Sequence, residues 1–143
     1  MYDVQKMSKA IAEIEQYLQE IREYNITSAQ DLKQDGKTRH ATAMLIFAIL
    51  NRISDIGEEI MIKEQLGIPN QYVDIMPSLA KANVINNEQA DSLNKIMKKR
   101  NTLAHFYGDI APEDVFMLLG RLSSIEQFLK TIKKRIQQAK QPK

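Results

Sequence analysis

From Lys99 to Tyr107 the chain reads Lys99-Arg100-Asn101-Thr102-Leu103-Ala104-His105-Phe106-Tyr107, and the turn Gly108-Asp109-Ile110 follows. One of only two histidines in 143 residues lies here. Arginine grips phosphate as a planar fork and stays charged. An imidazole titrates near neutrality and moves a proton in either direction. Cleavage of RNA by attack of its own 2′-hydroxyl needs those two functions and no metal: one group to manage protons, one to stabilise charge on the phosphorus oxygens. Arg100 and His105 are the candidates, and Asn101 can orient the imidazole or a phosphate oxygen. On a helix Asn101 and His105 share a face, so the segment carries Arg100, Asn101 and His105 to one rim with Tyr107 overhanging. The plainer reading is that His105 caps a helix C-terminus while Arg100 pairs with Asp55 or Glu59.

The elements that position this segment are helical. Val4, Met7, Ile11, Ile14, Leu18 and Ile21 alternate steps of three and four, which predicts a helix over about 3–24. Ser28 and Asp31 resemble a capping pair ahead of a short helical turn, which Asp35-Gly36 breaks. A long helix over about 37–66 follows, with Thr42, Ile46, Ile49, Ile53, Ile56 and Ile60 on its apolar row. Beside that row Arg52, Asp55 and Glu59 can meet across single turns, and Asp55 can point into a polar cleft. Gly57 thins the helix and admits a close neighbour, and Gly67 with Pro69 is read as the C-terminal stop. A short helix over about 71–83 is distorted by Pro77. Asparagines at 83–87 can cap a helix over about 87–106 that carries the motif. Pro112, with Glu113 and Asp114 behind it, starts a last helix running to about 139. No stretch has the two-residue period of a strand. The expectation is an all-α, up-and-down bundle of four main helices plus one or two short ones, in a single domain over 1–143.

Composition agrees with a soluble globular protein: 43% hydrophobic, 27% charged and a net charge of +2. With no cysteine there is no disulfide, zinc-thiolate site or cysteine nucleophile. The first residues lack a signal-peptide core, and the apolar run Ala43–Leu50 is far below the ~18 residues that span a bilayer. The expected location is cytoplasmic, with no membrane partner. The net charge is too balanced to imply nucleic acid, but cations cluster at Lys95, Lys98, Lys99 and Arg100 and again over 130–143. They suit helix C-termini, and they can also steer a polyanion.

The string Arg100-Asn101-Thr102-Leu103-Ala104-His105-Phe106-Tyr107 is similar to the Arg-x-x-x-x-His-x-Tyr signature of HEPN-domain ribonucleases, above all the HepT (DUF86) toxins. Ser54-Asp55-Ile56-Gly57 looks like that family's Asp-Ile-Gly element. Gly67-Ile68-Pro69 with Tyr72, then Leu79-Ala80 and Val84-Ile85, follows its middle segment, and Ile110 to Val115 looks like its entry to the last helix. The likeness covers roughly 40–132. It implies a HEPN-like bundle that forms a homodimer, with the two signature segments facing across a positively charged cleft. It implies metal-independent endoribonuclease action without a cofactor, leaving a cyclic phosphate. Arg100 and His105 would be catalytic, Asn101 would assist and Asp55 would support. The partners implied are RNA and an MNT-type nucleotidyltransferase antitoxin, in a type VII-like toxin–antitoxin pair; DNA is not expected. Tyr107 matches the tyrosine that the antitoxin modifies with AMP. Phe106 stands in a slot that is often polar, where it could stack on a base. Two other readings use the same residues or fewer: a catalytically inactive HEPN-like module that binds a nucleotide or presents a nucleotidyltransferase, and a purely structural helical adaptor.

Overall fold

A computed structural model describes residues 2–106 and 109–140. Eight α-helices and one 3-10 turn carry the chain, with no strand among the described residues. They are α1 (Val4–Glu23), α2 (Ala29–Gln34), α3 (Gly36–Lys63), the 3-10 turn (Tyr72–Asp74), α4 (Ile75–Lys81), α5 (Asn87–Met97), α6 (Arg100–Phe106), α7 (Pro112–Leu119) and α8 (Leu122–Lys140). Among the described residues no helix is long and apolar enough to cross a membrane.

The central element is α3, whose 28 residues reach about 42 Å. Its row Thr42, Ile46, Ile49, Ile53, Ile56, Ile60 is buried throughout, and Ala43, Leu50, Gly57 and Met61 widen the buried stripe. The hydroxyls inside this stripe are satisfied locally: Thr42 Oγ1 donates to the Thr38 carbonyl at 2.7 Å and Ser54 Oγ to the Leu50 carbonyl at 3.1 Å. Cross-links give the directions of the helices. The backbone N–H of Asp3 donates to Glu59 at 2.9 Å, and Arg52 reaches Glu13 at 3.4 Å, so α1 runs antiparallel to α3. Arg22 pairs with Glu126, and Lys133 with Glu15 at 2.9 Å, so α8 runs antiparallel to α1. Helices α1, α2, α4, α6 and α7 all pack on α3, while α5 packs on α4 and α8. This is the all-α bundle that the periodicity predicts.

The helix starts follow the sequence. Asp3, Ser28, Asp35 and Asn86 accept from backbone N–H groups as N-caps, Ser28 and Asn86 in full capping boxes, and Pro112 opens α7. Three ends differ from expectation. The stop of α3 comes at Lys63, before Gly67. Gln65 takes the left-handed position (φ 58°), and Leu66 N–H closes on the Met61 carbonyl at 2.8 Å. The motif helix is not continuous from 87 to 106. It breaks at Lys98-Lys99, where the Lys99 N–H turns to the Ile96 carbonyl at 2.9 Å, because α5 must lie on α4 and α8 while α6 must lie on α3. The last helix breaks likewise at Gly120-Arg121, since α7 packs on α2 and α3 and α8 on α5. These two breaks supply short helices beyond the one or two expected. Phe128, fully buried, is a core residue outside the predicted row, and Tyr2 is a second.

Candidate active site

Arg100 is the first residue of α6, and the α5–α6 break aims it at α3. Its Nε–H donates to Asn51 Oδ1 at 2.8 Å. The guanidinium carbon lies 5.6 Å from the centre of the Phe47 ring and 5.2 Å from that of Tyr72, within cation–π range of both. Phe47 and Asn51 are one turn apart on α3, and Tyr72 comes from the 3-10 turn. The stem nitrogen is thus anchored, and among the described residues the two terminal nitrogens take no protein acceptor.

Arg100 forms one wall of an open cleft of about 380 Å³, which Asn51, Arg52, Ser54, Asp55 and Tyr72 also line. Asp55 does reach this cleft, but its carboxylate pairs with Arg52 at 3.0 Å and not with Arg100. Glu59 is buried and serves the N-terminus of α1 through Asp3. The pairing of Arg100 with Asp55 or Glu59 is therefore replaced by the bond to Asn51.

Asn101 and His105 lie one turn apart on α6, both exposed, about 6 Å along the axis. Arg100 is half-buried against α3, whereas these two face outward, and neither lines the cleft that holds Arg100. Tyr107 lies outside the described residues. No group of three or more His, Cys, Asp or Glu converges as a metal site among the described residues. Chemically the chain offers a fixed guanidinium fork in the cleft and an exposed imidazole on the outward face of α6. Each suits an anion that carries a transferable proton, but the two do not line one cleft, unlike the single rim that the sequence predicts. Asn51, Phe47 and Tyr72 were absent from the sequence reading. The available signal was an amide, Asn51, set between apolar Leu50 and the charged Arg52 on the same α3 row as Asp55.

Known proteins show the same fold and, in part, the same sequence. A family profile described as Ribonuclease HepT-like matches residues 14–132. The mRNA nuclease HepT of Shewanella oneidensis is 28% identical over 124 residues, spanning 86% of this chain and 92% of that protein. The tri-AMPylated HEPN toxin of the same organism, solved in complex with MNT antitoxin, superposes with a TM-score of 0.82 at 27% identity, over 94% of this chain and 99% of that one. A toxin–antitoxin crystal structure with AMP-PNP gives a TM-score of 0.83 at 25% identity, over 91% and 98% of the two chains.

Proposed function

The chain belongs to the HepT-like ribonuclease family, and on that premise we propose that Arg100 and His105 cut RNA and that a nucleotidyltransferase partner silences the cut at Tyr107. As a member of that family it is an endoribonuclease of the toxin kind. The whole of 1–143 acts as one HEPN-like domain. The observation that carries the reading is the guanidinium of Arg100, held at Nε by Asn51 and flanked by two rings, with its terminal nitrogens directed to no protein acceptor among the described residues.

In the proposed reaction the 2′-oxygen attacks the adjacent phosphorus, the bond to the 5′-oxygen breaks, and a cyclic phosphate and a 5′-hydroxyl result. His105 takes the 2′-proton or protonates the leaving oxygen. Arg100 binds the non-bridging oxygens as their charge develops. Asn101 orients the imidazole or an oxygen, and Asp55, through Arg52, shapes the cleft wall. One imidazole cannot serve both proton transfers at once. A homodimer that brings two α6 segments face to face supplies a second, and the outward stance of Asn101 and His105 suits that arrangement. The partner is an MNT-type antitoxin. The Tyr107 hydroxyl attacks the α-phosphorus of ATP, pyrophosphate leaves, and the new phosphodiester places a negative charge two residues from His105, where it competes with RNA for Arg100.

The test is incubation of purified protein with RNA in EDTA. Cleavage to cyclic-phosphate ends is expected, from a particle of dimer mass by light scattering. His105→Ala and Arg100→Ala should each lower the rate by about 10²–10⁴-fold with far-UV circular dichroism unchanged. Co-expression with the nucleotidyltransferase should add adenylate mass to the Tyr107 peptide and stop cleavage, and Tyr107→Phe should escape both effects. Cleavage at the parental rate by either alanine variant would end the assignment.

A further inference from the structure

Four cations from two distant parts of the chain converge on one groove outside the Arg100 cleft. Lys95 comes from the last turn of α5, Lys98 and Lys99 from the α5–α6 break, and Arg121 from the α7–α8 break. With Thr102 and Met117 they line a groove of about 380 Å³ with no acidic residue in its lining. No ion pair among the described residues engages any of the four. Helix dipoles do not account for the cluster. Two helix C-termini meet here, those of α5 and α7, and each offers about half a negative charge. Four full positive charges exceed that several-fold, so the groove stays strongly cationic and its lysines repel one another. The crowded charges themselves do not favour the fold.

We propose that this groove is a second subsite for RNA backbone, holding phosphates of the single strand next to the nucleotide that is cut. The inference rests on the ribonuclease reading. Its polar groups are nearly all donors, three ammonium groups, a guanidinium and the Thr102 hydroxyl, set around a larger apolar floor to which Met117 and Leu118 contribute. Phosphates satisfy donors of this kind one after another along a strand. An acidic protein surface also brings amide donors, for which the lining offers little to accept them. Met117, 45% exposed at the groove, gives a polarizable apolar face for a base. Thr102 precedes His105 by three residues on α6, so a strand leaving the groove meets the imidazole about one turn further along. The subsite therefore selects substrates that extend beyond the scissile bond.

The triple variant Lys95→Gln/Lys98→Gln/Arg121→Gln tests this. Binding is read by fluorescence anisotropy of a labelled oligouridylate against salt, in a His105→Ala background so that nothing is cut. Each phosphate contact adds about 0.7 to the slope of log affinity on log salt for a single strand, so the triple change should flatten the slope by about 2. In the cleaving protein the KM for the oligonucleotide should rise at least tenfold at low salt, while kcat, and the rate on a dinucleotide, stay as in the parent. An unchanged salt slope overturns the proposal, as does an equal loss on the dinucleotide. Intact RNA binding with lost affinity for the nucleotidyltransferase would make the groove a protein interface instead. If the parent cuts no RNA, the ribonuclease reading fails on its own, and the anisotropy arm still judges the groove.

Discussion

Asn51 is the residue on which the geometry of Arg100 turns. Its Oδ1 holds Nε at 2.8 Å, and no other side-chain acceptor holds the guanidinium among the described residues. Without it, two ring faces restrain the guanidinium in one plane but leave it free to slide. Asn51 acts through Arg100 and is a positioning residue. Asn51→Ala is expected to lower kcat by up to about 100-fold, the cost of a misplacement on the order of 1 Å, with little change in melting temperature. Asn51→Asp keeps the acceptor and should restore most of the rate in an RNA-cleavage assay. Equal loss in both variants would speak for a merely structural amide. Sequence alone did not reveal this partner. Asn51, Asp55 and Glu59 follow one another at four-residue steps along α3, so all three are acceptors in one row. Which of them meets Arg100 depends on where α6 crosses α3, a tertiary fact with no local signature.

Among the elements, the closest approach is between α3 and α4. A Cβ added at Gly57 would lie 2.3 Å from Ile75 Cγ2, a branched atom at the start of α4 with no free rotation away. Gly57→Ala gains about 1 kcal/mol of helix propensity and incurs overpacking of about 1–3 kcal/mol. The net expectation is a loss of stability and a shift of α4 with the 3-10 turn before it, which carries Tyr72 over Arg100. Urea denaturation of Gly57→Ala, Ile75→Ala and the double variant checks this. The double variant should be less destabilised than the sum of the singles, because the new methyl partly fills the space that Ile75 leaves. Strict additivity would refute the contact. At this scale the sequence was largely legible. The buried rows of α1, α3, α5 and α8, the N-caps and the need for Gly57 are local or periodic properties. The breaks at Lys98-Lys99 and Gly120-Arg121 were not legible, because apolar spacing runs through both and only packing on different neighbours parts the helices. Gln65 takes the left-handed stop of α3 ahead of Gly67, so a stop read at the glycine comes late, whereas left-handed Asn83 ends α4 close to where the sequence places that end.

Across the whole molecule, one polar cluster ties the first residues to both long helices beside α1. The Tyr2 hydroxyl donates to Glu64 just past α3, while Arg135 of α8 donates to Tyr2 at 2.7 Å and to Glu64 at 2.8 Å. The Tyr2 hydroxyl and then the Arg135 guanidinium hold the Glu64 carboxyl below its ordinary value of 4.5. Burial, and then the bond to Glu64, raise the Tyr2 phenol above its ordinary 10.0. A lowered carboxyl contributes stability above its unfolded pKa and loses it as pH falls through the folded value. A raised phenol contributes below its unfolded pKa and loses it as pH rises through its own folded value. The cluster therefore supports the fold through the neutral range and weakens at both extremes. Glu64→Gln should cost about 1 kcal/mol near pH 7, a modest figure because the pair is partly exposed. The gap to the parent in melting temperature should narrow as pH falls below 4.5, the carboxyl's ordinary value. A gap that is constant from neutral to acid pH would show that Glu64 acts only through packing.

The anchoring of Arg100 also has an entropic meaning. A free arginine side chain carries about 2 kcal/mol of rotamer freedom, and a flexible one surrenders it only when a phosphate docks. Here Asn51, Phe47 and Tyr72 order the chain during folding, so an arriving anion meets a fork already set. At 1.4 kcal/mol per decade, the freedom not lost on docking corresponds to as much as about 30-fold in affinity for phosphate.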